Sequence, residues 1–147
     1  MRLSRQNPRN ILAGTTLQLS KAIHDGSHIL LDQLAGSTVI LPPALGLGTQ
    51  IRVCELNSAT SNSHVIKVQN STDIMIGGCS LSLASGAGAV FPTTATSDTI
   101  TLNRGTTGGA TRGGYFEFRD IAPGIWQIVE AYANGSGVLA TPFSATV

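Results

Sequence analysis

The residues best equipped for chemistry are scattered, and their spacing argues against a catalytic or metal centre. His24 and His28 stand four apart with Asp25 beside them, a spacing that would put two imidazoles on one face of a helix. Gly26 and Ser27 interrupt any such helix, so no metal site is expected there. His64 opens the alternating run HVIKV and reads as a satisfied or half-exposed strand histidine, not as a general base. No serine lies in a G-x-S-x-G elbow. The eight carboxylates, Asp25, Asp32, Glu55, Asp73, Asp98, Glu117, Asp120 and Glu130, include no pair marked for general acid and base work. The glycine-rich segment 103–114, NRGTTGGATRGG, lacks the Gly-Lys-Ser/Thr ending of a phosphate loop and precedes a strand, so it reads as a flexible surface loop. Cys54 and Cys79 form no C-x-x-C pair and read as small buried hydrophobes, with neither a disulfide framework nor a metal implied. No cofactor and no enzymatic activity are expected.

Composition points to surfaces that meet other protein. Only 12% of residues are charged, against roughly 25% in ordinary soluble domains, and glycine, serine and threonine take up the difference. A surface so thinly solvated suits protein contact, although a neutral Thr-rich β surface would have the same composition. The net charge of +1 gives no reason to expect nucleic acid or an anionic membrane as partner. A base-stacking platform would need aromatics interleaved with arginines on one exposed face. Here Tyr115, Phe116, Phe118, Trp126 and Tyr132 cluster in one closing segment whose alternate positions feed a core, and only Arg119 is well placed for stacking. No 18-residue apolar run exists, and the start MRLSRQNPRN lacks the apolar region of a secretory signal, so a soluble protein made in the cytosol is expected.

These residues must be positioned by strands. At 147 residues the chain is expected to be one domain. Its clearest local signal is 36–53, GSTVILPPALGLGTQIRV. A β-branched strand, 37–41, is stopped by Pro42-Pro43; alternation resumes at 49–53, with Thr49, Ile51 and Val53 on one face. The pair reads as a two-stranded unit with a wide, proline-stiffened connection. Further strands are predicted at 15–19, 28–32, 64–68, 74–76, 99–102, 115–119, 125–132 and 138–140, with one short helical turn at 20–24. The 115–119 and 125–132 strands join through Ala122-Pro123-Gly124, the chemistry of a type II turn. Segment 80–97, SLSLASGAGAVFPTTATS, is small and weakly patterned and reads as an excursion with little regular structure. The fold class is all-β, a small β-sandwich or β-barrel-like domain. Its expected core is Leu17, Leu19, Ile29, Leu31, Val39, Leu41, Ile51, Val53, Ile66, Val68, Ile100, Leu102, Phe116, Phe118, Trp126, Ile128 and Val129.

Ahead of the domain (15–147), residues 1–14 carry three arginines, two asparagines and a proline, with too few apolar groups to order alone. They read as an extended N-terminal arm. Backbone N–H and C=O groups of such an arm can add to an exposed sheet edge on a partner. Arg2, Arg5 and Arg9 would then pair with its carboxylates, while Leu3, Ile11 and Leu12 bury against it.

The succession HDGSHILLDQLAGSTVILPPALGLGTQIRV, NSATSNSHVIKVQNSTDIMIGG, DTITLNRGTTGG and WQIVEAYANGSGVLATPFSATV resembles the head decoration, or cement, proteins of tailed bacteriophages. The most specific phrases are LDQLAGSTVILP, SNSHVIKV and TPFSATV. The resemblance implies a non-enzymatic virion protein, a homotrimer seated on the outside of the capsid at three-fold and quasi-three-fold positions. There it would contact the major capsid protein, commonly through the N-terminal arm, and bridge neighbouring capsomers. The other reading the residues allow is a head or tail fibre segment or receptor-binding module, with its weight on loops 57–63 and 103–114.

Overall fold

A computed structural model describes residues 9–147. The chain is nearly all β, and its two sheets pack face to face as a sandwich. The first six strands are β1 (Asn10–Leu12), β2 (Thr16–Gln18), β3 (His28–Leu31), β4 (Thr38–Ile40), β5 (Gln50–Glu55) and β6 (His64–Lys67). They alternate between the layers: β1, β3 and β5 run parallel in the large sheet, and β2, β4 and β6 run parallel in the small one. Parallel neighbours need a crossover, and here each crossover is a strand of the opposite layer. The chain therefore winds in three rungs. The two-stranded unit expected at 36–53 does not form. Pro42 and Pro43 end β4, and the following connection carries the chain into the other sheet, so β4 and β5 face each other across the core.

The remaining strands close the layers. β7 (Ile74–Ile76), β8 (Gly78–Ser82), β9 (Gly88–Pro92), β11 (Tyr115–Ala122) and β12 (Ile125–Asn134) complete the large sheet. β10 (Thr99–Leu102) and β13 (Phe143–Ser144) complete the small one. β12 is the hub: it pairs with β11 along one edge and with β7 and then β8 along the other. Its turn from β11 has Gly124 at φ +77°, as a type II turn requires at that position. Among the described residues the single helix, α1 (Lys21–His24), is one turn.

Four further expectations fail for identifiable reasons. Segment 80–97 contains most of the β8–β9 hairpin. It escapes detection because β9 is nearly all exposed and its residues are small, so no alternation is written into it. The strand expected at 138–140 is absent; Val138 is 84% exposed, and β13 forms instead where Phe143 is buried against β10. Val129 is not core but 47% exposed. A bulge opposite Glu117 and Phe118 inserts it as an extra residue, so the inward set runs Trp126, Ile128, Ala131, Ala133. Segment 103–114 is not a loose loop. Asn103 Oδ1 accepts from the N–H groups of Gly105 and Thr107, and Gly108 packs so closely on Leu102 and Ala133 that a Cβ there would stand 2.9 Å from the Ala133 Cβ.

The expected core is otherwise present, joined by Met75, Cys79, Leu81 and Phe143, with Leu17 only partly buried against it. Trp126 is fully buried; its ring meets Phe118 edge-on at 6.5 Å and its indole N–H donates to the Pro42 carbonyl at 3.1 Å. That bond links the hub strand to the proline stop of the opposite layer. Trp126→Ala should cost about 3 to 5 kcal/mol, read as a shift of the denaturant midpoint at unchanged m-value; a shift under about 1 kcal/mol would contradict the packing.

Asp120, at the end of β11, holds the β4–β5 crossover. Its carboxylate accepts from the backbone N–H groups of Leu45, Gly46 and Leu47 at 3.0, 2.6 and 3.1 Å, while its own backbone exchanges bonds with Gly48 and Thr49. Asp120→Ala and Asp120→Asn should each cost about 3 kcal/mol, because the amide still presents a donor to a ring of donors. Equal stability of wild type and Asp120→Asn in urea melts would contradict the clamp.

Candidate functional site

The groups with the most chemical potential hold the fold. All five aspartates accept backbone N–H groups: Asp25 from Gln50, Asp32 from Gly14, Asp73 from Ala44, Asp98 from Thr146 and Val147, and Asp120 from the crossover. His64 is fully buried; its Nδ1 accepts from the Ser37 N–H and its Nε2 donates to the Asn57 carbonyl. Burial lowers its pKa, against smaller upward pulls from the Asn57 carbonyl and Asp32. It is the satisfied strand histidine the sequence suggests. His24 is buried and accepts from the Ser20 N–H, whereas His28 sits half-buried on the large sheet. Among the described residues no group of three His, Cys, Asp or Glu side chains could hold a metal ion, and no helix is long and apolar enough to cross a membrane.

What remains is a surface. Register places Leu12, Leu30, Cys54, Tyr115, Tyr132, Ser80 and Val90 side by side, one from each of seven neighbouring strands, so that a single row crosses the large sheet from edge to edge. All seven lie on the outward positions of their strands, with Leu12 59% and Val90 72% exposed at the two ends. The adjacent row carries His28, Arg52, Glu117 and Glu130. Arg52 pairs with Glu117 at 3.3 Å and Glu130 at 3.8 Å and lies 4.8 Å over the Tyr115 ring. The Tyr115 hydroxyl donates to Glu130, which raises its pKa. The centre of this face is thus amphipathic and pre-ordered. The outer face of the small sheet differs: its register rows, Thr16, Thr38, Val65, Thr101 and Gln18, Ile40, Lys67, are mostly hydroxyl and polar, and the second row ends on Thr99, which is buried beneath Thr146.

Of the expected arm residues, Arg2, Leu3 and Arg5 lie outside the described residues. Arg9 donates to the Ile23 carbonyl. Ile11 packs against the domain's own core and Leu12 ends the outward row, because 10–12 adds to the free edge of β3. The strand addition expected on a partner is made here within the chain, so Leu12, and not Ile11, stays exposed. Loops 57–63 and 103–114 meet: Arg104 donates to the Thr60 carbonyl.

Sequence reasoning missed the outward row. Tyr115 and Tyr132 are visible only as members of an aromatic cluster. Cys54, read as a buried hydrophobe, is half-buried on the outer face because β5 turns Val53 and Glu55 inward. No family model matches this chain, and no curated protein matches it either.

Both thiols are free. Burial raises the Cys54 pKa, offset partly by Arg52, and pushes Cys79 up to about 12. With an aromatic disulfide reagent at pH 8, the folded, dissociated chain should show one slowly reacting thiol, Cys54, and a second only on unfolding. Two thiols reacting at the rate of free cysteine would contradict this placement.

Proposed function

We propose that the chain is a structural virion protein, not an enzyme. It binds the outer surface of a bacteriophage capsid as a homotrimer and stabilises the expanded head by bridging capsomers through the major capsid protein. The sequence resemblance to head decoration proteins supplies the partner. The observation that carries the reading is the outward row from Leu12 to Val90, which crosses the whole large sheet on a domain whose aspartates and buried histidines are engaged in holding backbone. Aromatic and arginine anchors at the centre of a surface are what protein interfaces favour. Trimer contacts are assigned to this face, and capsid contacts to the residues ahead of β1, where three copies would act together. The other reading, a fibre segment or receptor-binding module, is favoured by the joining of loops 57–63 and 103–114 through Arg104 and Thr60.

The protein should elute with a mass about three times its 15.2 kDa and co-sediment with pre-formed expanded capsids that lack it. Leu30→Glu should leave the fold intact yet yield monomer. A chain starting at Asn10 should stay trimeric and bind capsids much more weakly. Failure of the wild-type trimer to bind capsids, with retention on cell-surface glycan or receptor through 57–63 and 103–114, would replace this reading with the other.

A further inference from the structure

Among the described carboxylates Glu55 stands apart. The aspartates hold backbone amides and Glu117 and Glu130 share Arg52, but neither Glu55 oxygen has a hydrogen-bond partner, and the residue is only 3% exposed. It ends β5 and is stitched to the glycine-rich segment: its N–H donates to the Gly114 carbonyl at 2.8 Å, and the Gly113 N–H donates to its carbonyl at 2.9 Å. Its side chain faces the same segment. A Cβ on Gly109 would stand 3.3 Å from Oε1 and one on Gly114 3.2 Å from Oε2, so the two oxygens are enclosed by glycines that offer the carboxylate no donor.

We infer that Glu55 is a proton-operated latch on loop 103–114: the loop packs closed over a neutral carboxyl and opens when that carboxyl ionises. An ionised carboxylate buried without a partner is strongly disfavoured, and the group either keeps its proton or draws in water. Drawing in water here means lifting the loop, since the loop is what covers the oxygens. The titratable or charged groups on the surrounding elements are Asp32 after β3, Cys54 on β5, His64 on β6, Arg104 and Arg112 on the loop, Tyr115 on β11 and Tyr132 on β12. None of them governs the titration. Burial dominates and raises the carboxyl from 4.5 to about 7, with the nearby Ser58 hydroxyl pulling weakly the other way although it makes no bond of full geometry. The closed form therefore holds the proton more tightly than the open form. Closure is strongest below about pH 4.5 and is lost as pH rises to about 7 and above. This device stands independently of the proposed capsid role.

Trypsin reads it directly, because Arg104 and Arg112 are exposed within the loop. Cleavage of the full chain at these two sites would be measured at pH 6 and 8, each rate divided by that of Glu55→Gln at the same pH to cancel the protease's own pH dependence. The ratio should rise about tenfold over this interval; a flat ratio would overturn the latch. Should Glu55→Gln not fold, hydrogen exchange of the wild type serves instead. After correction for intrinsic rates, the amides of Ala110 and Gly113 should lose about tenfold protection from pH 6 to 8 while those of Ile51 and Phe118 keep theirs. Unchanged loop amides, or parallel loss in both sets, would overturn it.

Discussion

The structure depends on how the Asp120 carboxylate organises the β4–β5 crossover. A winding chain that alternates between layers must cross an open end of the sandwich, where backbone amides have no ladder to join. Residues 45–47 solve this by directing three successive N–H groups at one carboxylate. Gly46 lies so close to Ala122 and Pro123 that a Cβ would meet them at 3.1–3.2 Å. Asp73 repeats the device one step earlier through Ala44, and Trp126 reaches the Pro42 carbonyl. Each tie joins the crossover to the region around the β11–β12 turn, so the rungs and the closing hairpin form one cooperative unit.

This division of labour shapes what the surface can do. With the aspartates turned to backbone and both buried histidines bonded inside, the outer face of the large sheet is left with aromatic rings, aliphatic ends and the Arg52 guanidinium paired with Glu117 and Glu130. Depressions of about 760 Å³ beside His28 and Arg52 and about 390 Å³ among Pro42, Pro43, Leu45 and Leu47 flank the two ends of the crossover. The first is lined by charged and polar side chains, Lys21, Asp25, His28, Gln50, Arg52 and Glu117 among them, and the second is the more apolar of the two.

Much of the fold was legible because alternation reports which face of a strand is buried. Ile29 and Leu31, Ile51 and Val53, and Ile66 and Val68 all lie inward as their spacing indicates. Alternation does not report which strand lies alongside, so the parallel winding was hidden and 36–53 looked like a local pair. It also fails at an inserted residue, as at Val129, and where side chains are too small to pattern, as in β9. The aspartate clamps were illegible for a different reason: their partners are backbone amides, which carry no residue identity, and Asp120 lies 75 positions from Leu45. Glu55 was the exception in principle, since the alternation of Thr49, Ile51 and Val53 continues onto it. The outward row was invisible because it exists only through the register of seven strands.

The proposed trimer is held by the outer face of the large sheet and by no other face of the domain. Side-chain footprinting of the assembled and the dissociated protein tests it most directly. Protection on assembly should fall on Leu12, Leu30, Tyr115, Tyr132 and Val90, leaving Leu45, Leu47 and the threonine rows of the small sheet unchanged. Protection concentrated on Leu45 and Leu47 or on the small sheet, with Tyr115 and Tyr132 still fully reactive, would contradict the account.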